Sequence, residues 1–250
     1  MTEPVRVGVI TQARTGSTRL PGKVLIEAGG RTMLDHHLDR LLAAGLDVYV
    51  ATTDLPADDR VAGLAEGRGL AVFRGSEHDV LSRFAGCARA YDLDAVVRVT
   101  SDCPLIDGGV VAEGVARFLG LRAEHGEDVY LSNTLERTYP RGFDFEVFTA
   151  AALARADREA SAPRDREHVT PWMYVGPHRL PQVVQVRRSV DRSWYRVTLD
   201  TAEDLELIRR LLDEHGAAGL DCDGVIEVLD SHPDLVAINA AVAQREISPS

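Results

Sequence analysis

Three stretches of this chain gather side chains suited to phosphate chemistry. The first is Thr11-Gln-Ala-Arg-Thr-Gly-Ser-Thr-Arg-Leu-Pro-Gly-Lys23, where Arg14, Arg19 and Lys23 bring charge and Ala13, Gly16 and Ser17 stay small. Small residues let backbone N–H groups approach a phosphate closely, and the cations supply its countercharge. The glycine spacing matches neither G-x-x-x-x-G-K-[ST] nor G-x-G-x-x-G, which disfavours a P-loop and a dinucleotide fingerprint. The second and third are Thr100-Ser-Asp-Cys-Pro-Leu-Ile-Asp107 and Val197-Thr-Leu-Asp-Thr-Ala-Glu-Asp-Leu205, each placing an aspartate, Asp102 or Asp200, beyond an apolar run. A carboxylate so placed can hold Mg²⁺, which takes one or two protein carboxylates plus phosphate oxygens. The same residues also suit plain structural service. Pro104 and Asp107 read as helix-entry residues, and Asp200 can stabilise the N-terminus of the helix after it.

The elements that must position these loops follow from periodicity. Short β-branched runs at Val5 to Ile10, Val48 to Ala51, Ala71 to Phe73, Ala95 to Val99 and Val129 to Leu131 read as strands. Between them, Leu34, Leu38, Leu41 and Leu42 recur at helical spacing, as do Val61, Leu64 and Ala65, and Val110, Val111, Val115 and Phe118. Strands alternating with helices predict an α/β fold: a mostly parallel, twisted sheet with helices on both faces. In such sheets ligands bind beyond the carboxyl ends of strands, where the strand order reverses. After Tyr130 the rhythm changes. Phe143 to Phe148 alternates apolar and acidic residues and reads as a half-exposed strand, followed by a helix near Ala150 to Arg158. Val183 to Val186 and Arg196 to Leu199 read as further strands. Thr201 with Asp204 resembles a capping box opening a helix that carries Leu205, Ile208, Leu211 and Leu212. A single domain over 1–250 is expected, with 133–190 as a small β-containing subregion for acceptor binding or dimerisation. The last residues, from Ile247, read as frayed.

Composition narrows the function. The chain has 250 residues, 45% hydrophobic and 27% charged, with a formal net charge of −11, so it is globular and a poor candidate for nucleic-acid binding. Its three cysteines, Cys87, Cys103 and Cys222, lack CxxC spacing, which fits a reducing compartment. No apolar stretch is long enough to span a bilayer, and the N-terminus has no signal-peptide pattern. A cytoplasmic, membrane-free protein is the expectation.

The stretch Gln12 to Val24 resembles the signature of the sugar nucleotidyltransferases. It is nearest the cytidylyltransferases of the CMP-KDO and CMP-sialate synthetase type and, more narrowly, the spore-coat polysaccharide biosynthesis protein F family. The resemblance implies a Rossmann-like nucleotidyltransferase fold and transfer of CMP from CTP, with Mg²⁺, to a sugar acid, sugar phosphate or small phosphonate. It implies that Gln12, Ala13, Arg14, Gly16, Ser17, Thr18, Arg19 and Lys23 wrap the nucleotide, with Arg14 and Lys23 on its phosphates. The Asp-Cys-Pro-Leu-Ile and late Leu-Asp-Thr-x-x-Asp-Leu stretches are similar to family motifs whose leading aspartates grip the metal together. Asp102 and Asp200 are therefore expected to meet at one ion. By the same resemblance Arg74, Gly75, Asp79 and Ser82 line the nucleobase pocket, although the bare sequence shows a glycine turn with Asp79 capping a helix. Asn133 through Glu146 and Arg166-Glu-His-Val-Thr-Pro171 resemble the narrower family and make Asn133, Arg141, Asp144, Glu146, Arg166 and His168 candidates for acceptor binding. Arginines there could hold a carboxylate or phosphate bidentately, and Asp144 and Glu146, on one strand face, could take hydroxyls or amines. Relatives are often dimers, so a homodimer is expected. Beyond Leu212 the chain matches nothing in the family pattern. Two rivals are a glycosyltransferase, for which Asp144-Phe-Glu146 only approximates a D-x-D motif, and a non-catalytic nucleotide-binding protein.

Overall fold

The computed structural model describes residues 4–126 and 128–243. In chain order its strands are β1 (Val7–Gln12), β2 (Glu27–Ala28), β3 (Arg31–Thr32), β4 (Val48–Thr53), β5 (Ala71–Gly75), β6 (Ala95–Thr100), β7 (Val129–Ser132), β8 (Glu146–Thr149) and β9 (Gln182–Gln185). Its α-helices are α1 (Met33–Ala43), α2 (Asp59–Gly67), α3 (Val80–Ala90), α4 (Gly108–His125), α5 (Ala150–Glu159), α6 (Pro163–His168), α7 (Pro171–Tyr174), α8 (Ala202–His215), α9 (Cys222–Ser231) and α10 (Pro233–Ile238). Seven strands form one sheet in the order β5-β4-β1-β6-β8-β7-β9, and β2 and β3 form a separate two-stranded ribbon. Within the seven-stranded sheet only β8 runs against its neighbours and the other pairings are parallel, while β2 and β3 pair antiparallel.

This order fixes where chemistry can happen. The chain leaves β1 toward β4 and β5, then returns to build β6 on the opposite side of β1. The strand order reverses between β1 and β6, whose carboxyl ends lie level, Gln12 opposite Thr100. A crevice opens there because the two following connections diverge to opposite sides. Both loops named from sequence, 13–23 and 101–107, leave from this point.

Packing on both faces explains the hydrophobic patterning. Val9, Leu34, Leu38, Val50, Val61, Val97 and Phe118 bury one face under α1, α2 and α4. Ile10, Leu81, Phe84, Val96, Phe148, Leu153 and Trp172 bury the other under α3, α5 and α7. A third cluster joins Val197 and Leu199 to Leu207, Ile208 and Leu211 of α8 and to Val225 and Leu229 of α9. The stretch that matched no pattern is thus core-forming, and a hydrophobic surface of this kind is what holds short helices in place. Ile247 lies outside the described residues.

Two expectations need correction. The strand expected over Phe143 to Phe148 is four residues long, begins at Glu146 and is wholly buried between β6 and β7. Acidic residues there do not mark a solvent face, because Glu146 is neutralised inside by Arg98. Asp144 precedes the strand, so the two do not share a strand face. The run Arg196 to Leu199 is extended but makes only a single bridge, Arg196 with Arg141. It serves as a brace between two loops. Among the described residues no helix is long and apolar enough to cross a membrane.

Candidate active site

The loop after β1 is shaped by its own small residues and by Asp58. Thr15 donates to the Asp58 carboxylate from both its backbone N–H and its hydroxyl, each at 2.7 Å. Gly22, at φ 67, turns the chain in the left-handed region that favours glycine, and Lys23 follows immediately. The result is a cleft of about 350 Å³ lined by residues of this loop (Gln12 to Arg14, Gly16 to Arg19, Lys23), by Thr100 to Asp102, and by Arg83, Glu167 and Asp200.

Asp102 and Asp200 meet across the cleft. The Lys23 ammonium donates to Asp102 Oδ2 at 3.1 Å and to Asp200 Oδ1 at 2.8 Å, so both carboxylates lie within reach of one cation. Three features hold them. The Leu199 N–H donates to the Asp102 carbonyl at 2.7 Å and the Thr198 hydroxyl to the same oxygen at 3.1 Å, which ties the late segment to the early loop. His37, fully buried on α1, bonds the Cys103 carbonyl through Nδ1 and the Thr11 hydroxyl through Nε2, both at 2.9 Å. A carbonyl only accepts, so Nδ1 carries the proton and Nε2 accepts from Thr11. Burial pushes the His37 pKa down to about 4, keeping it neutral. Asp204, wholly buried, forms the capping box with Thr201, accepts from the Asp200 N–H at 2.9 Å and pairs bidentately with Arg196 at 2.8 Å. Asn239, just past α10, donates to Asp204 Oδ1 at 2.8 Å, so the C-terminal helices brace the turn that carries Asp200.

The electrostatics suit a cation exchanging with Lys23. Burial pushes the Asp102 carboxyl up, but Lys23 and hydrogen bonds from Thr100 and Cys103 outweigh it and hold it below its ordinary value. For Lys23 burial acts downward, and the two aspartates together raise it above its ordinary value. Asp200 also takes Arg19 at 3.2 Å and Arg196 at 3.0 Å. Among the described residues no group of three or more His, Cys, Asp or Glu side chains is arranged to hold a metal ion. Two hard oxygen donors meeting where an ammonium now sits still fit Mg²⁺, which completes its shell with phosphate oxygens and water.

A second, smaller cleft of about 170 Å³ shares Thr100, Asp102 and Asp200 with the first and adds Cys103, Arg141, Asp144 and Thr198. The two aspartates thus stand between two compartments. Gly142 makes this possible: at φ 111 its α-carbon lies so close to Val197 that a Cβ would sit 2.7 Å from the Val197 backbone. That approach lets Arg141 exchange backbone hydrogen bonds with the 195–197 brace. The Arg141 guanidinium makes no ion pair among the described residues. Burial, with Arg137 beside it, pushes its pKa down.

Other residues named from sequence are spent elsewhere. Arg74 donates to the carbonyls of Thr53 and Leu55 and pairs with Asp59. Asp79 caps α3 and receives Arg166, which also pairs with Asp157, and the Ser82 hydroxyl donates to the Asp79 carbonyl. Gly75 is hemmed in by Phe73 and Arg83. Arg74, Gly75, Asp79, Ser82 and Arg166 themselves line neither cleft. Asn133 uses both ends of its amide on Phe143 and Phe145. Glu146 accepts from Tyr130 at 2.6 Å, Thr170 at 2.5 Å and Arg98. His168 is half-buried and pushed down by burial, and Asp144, at the smaller cleft, is gripped by Arg137. Reasoning from sequence missed Arg83, Glu167, Thr198 and Arg196. Arg196, four residues before Asp200, was the one with a readable signal.

Comparison with known proteins agrees with this architecture. A family model described as cytidylyltransferase matches residues 8–225. The chain is 32% identical to the spore coat polysaccharide biosynthesis protein SpsF of Bacillus subtilis, over 90% of this chain and 94% of that protein. It is 30% identical to a 3-deoxy-manno-octulosonate cytidylyltransferase of Solibacter usitatus, over 83% and 95% respectively. A solved cytidylyltransferase structure from Leptospira borgpetersenii superposes with a TM-score of 0.87 at 34% identity, covering 93% of this chain and 97% of that one. With the family match running from β1 into α9, across both loops and both aspartates, this chain belongs to the cytidylyltransferase family and is a nucleotidyltransferase.

Proposed function

We propose that this protein transfers CMP from CTP to an anionic, sugar-acid-like acceptor, releasing pyrophosphate, with Mg²⁺ held by Asp102 and Asp200. One observation carries the reading: the two aspartates converge on a single cation at the wall common to two clefts. The larger cleft, with its basic loop, suits the triphosphate. The smaller one suits the acceptor, and its Arg141, which has no ion pair among the described residues, favours an acceptor that brings negative charge. The similarity to a 3-deoxy-manno-octulosonate cytidylyltransferase supports a sugar acid in that place.

An acceptor oxygen attacks the α-phosphorus, a bond to that phosphorus forms, and the bond to the pyrophosphate oxygen breaks. Positioning and charge neutralisation do most of the work in such displacements. Arg14, Arg19 and the backbone N–H groups of Gly16 and Thr18 hold the phosphates, while the Ser17 N–H closes the loop on the Thr15 carbonyl. Lys23, released from the aspartates, follows the charge onto the departing pyrophosphate. Bound Mg²⁺ would supply charge neutralisation across the phosphate oxygens. A sugar-acid hydroxyl gives up its proton to water in the cleft as its oxygen bonds the phosphorus, whereas an acceptor already ionised, as on a phosphate or phosphonate, needs no base.

Pyrophosphate release, measured with each of the four nucleoside triphosphates against sugar acids, sugar phosphates and phosphonates, tests the reading. Turnover with CTP and a sugar acid is expected, and Asp102→Ala should abolish it while the variant melts as a folded protein. Near-wild-type release by Asp102→Ala, or equal turnover with all four nucleotides, would defeat it.

A further inference from the structure

Beside the smaller cleft lies a cavity that no step of the transfer uses. It has a volume of about 320 Å³ and is bounded by Arg141, by residues 193–196, and by Leu207, Leu229 and Val236 of α8, α9 and α10. Leu229, Val236 and Ala240, which stands at its edge, lie beyond residue 225, where the family match stops. The family pattern therefore does not define this space.

Its walls are apolar, and the polar groups among them are mostly spent. Leu207 and Leu229 are buried. Arg196 pairs with Asp200 and Asp204, the Asn239 amide donates to the Arg196 carbonyl and to Asp204, and the Tyr195 hydroxyl donates to Asp230 at 2.5 Å. Trp194, by contrast, is 59% exposed, while the other tryptophan, Trp172, is 4% exposed. Its ring tilts against Tyr195 at 5.6 Å between centroids and carries the Arg192 guanidinium over its face. An open aromatic ring on the wall of an apolar cavity is surface that a ligand can take out of water.

Arg141 joins this cavity to the smaller cleft, because it lines both. Its N–H donates to the Tyr195 carbonyl at 3.0 Å and its carbonyl accepts from the Val197 N–H at 2.7 Å, so the side chain is rooted in the partition. With no ion pair among the described residues, the guanidinium is left to hold an anion at that boundary. An anion bound there shares the smaller cleft with Asp102 and Asp200 and borders the apolar cavity. We propose that the acceptor is amphipathic: its acid group rests on Arg141, and an apolar group the size of an aromatic ring enters the cavity against Trp194. The proposal rests on the cytidylyl-transfer reading above and narrows its acceptor. A cavity of roughly 150 Å³ accommodates benzene, so this one has room for a ring and a short tether.

Calorimetric titration of the full-length protein with methyl-, butyl- and 4-phenylbutylphosphonate, in the presence of a non-hydrolysable CTP analogue, tests it. The charged head is the same throughout and only the apolar part grows. Affinity should rise about 10- to 100-fold from the first to the last, the range for burying a ring-sized side chain. Trp194→Ala, at an exposed position, and Ala240→Trp, which fills the cavity from its edge, should each shrink that gain to within about threefold. Arg141→Met should weaken all three phosphonates alike. Flat affinity along the series, or a gain that survives both Trp194→Ala and Ala240→Trp, would overturn the proposal. So would substitutions that change sedimentation in place of the gain, since the cavity would then be a contact between copies of the chain. Pyrophosphate release from CTP, followed with the same phosphonates and with sugar acids, separates the two levels. An affinity gain without turnover on any acceptor would remove the cytidylyl-transfer reading and leave the amphipathic-anion site standing.

Discussion

Without nucleotide or metal, Lys23 holds the active site together, and replacing it with methionine should expose that role. Its ammonium bridges carboxylates at 3.1 and 2.8 Å. Charges about 3 Å apart attract by about 5 kcal/mol at an effective dielectric near 20, and desolvation of the groups offsets much of that. The loss falls unequally. Asp200 keeps Arg19 and Arg196, whereas Asp102 has no other ion pair among the described residues. The Asp102 side chain is 27% exposed, so water recovers part of the deficit. The net cost should be about 1–3 kcal/mol, a fall in melting temperature of about 3–10 °C for a chain of this size. Millimolar Mg²⁺ should restore most of it, because the ion takes the vacated place, and should stabilise the variant more than the wild type. Turnover should still drop about 100- to 1,000-fold, since a cation aimed at the leaving group has gone. Differential scanning calorimetry with and without Mg²⁺, beside a pyrophosphate assay, reads all three effects. A Lys23→Met protein that melts with wild type and gains nothing extra from Mg²⁺ would refute the reasoning.

Further outcomes follow from the smaller cleft and from the layer beneath the aspartates. Arg141→Met should raise KM for the acceptor about 10- to 100-fold while leaving KM for CTP unchanged; equal effects on both substrates would move Arg141 out of the acceptor site. His37 is held near pKa 4 in the folded chain against 6.5 when unfolded, so the unfolded state binds the extra proton first. Its contribution is intact above about pH 6.5 and is lost as pH falls toward 4, by about 3 kcal/mol in all. Urea unfolding of wild type and His37→Asn at several pH values checks this: the variant should be flatter between about pH 6.5 and 4.5, and an unchanged slope would contradict it.

The fold was legible because its parallel strands are short, apolar and separated by helices with clear spacing. The Thr201–Asp204 capping box was legible too, since its partners are three residues apart. The meeting of Asp102 and Asp200 came from resemblance: nothing local in either stretch reveals that the Leu199 N–H reaches the Asp102 carbonyl. The acidic alternation from Phe143 to Phe148 misled because a buried glutamate facing a buried arginine looks, in one dimension, like a glutamate facing water. Arg166 and Asp79 read as binding residues for the opposite reason. Their charges are spent on each other across 87 positions, a distance over which sequence pattern carries no pairing signal. Arg83 was hidden within a helix, where an arginine ordinarily means solvent.

Divalent-ion binding tests the account most directly. Mn²⁺, a probe for the Mg²⁺ position, can be titrated by electron paramagnetic resonance in the presence of a non-hydrolysable CTP analogue, using wild type, Asp102→Asn and Asp200→Asn. The shared-ion geometry predicts one tight site per chain, weakened at least about tenfold by either substitution alone. Wild-type affinity and stoichiometry in either single variant would contradict it.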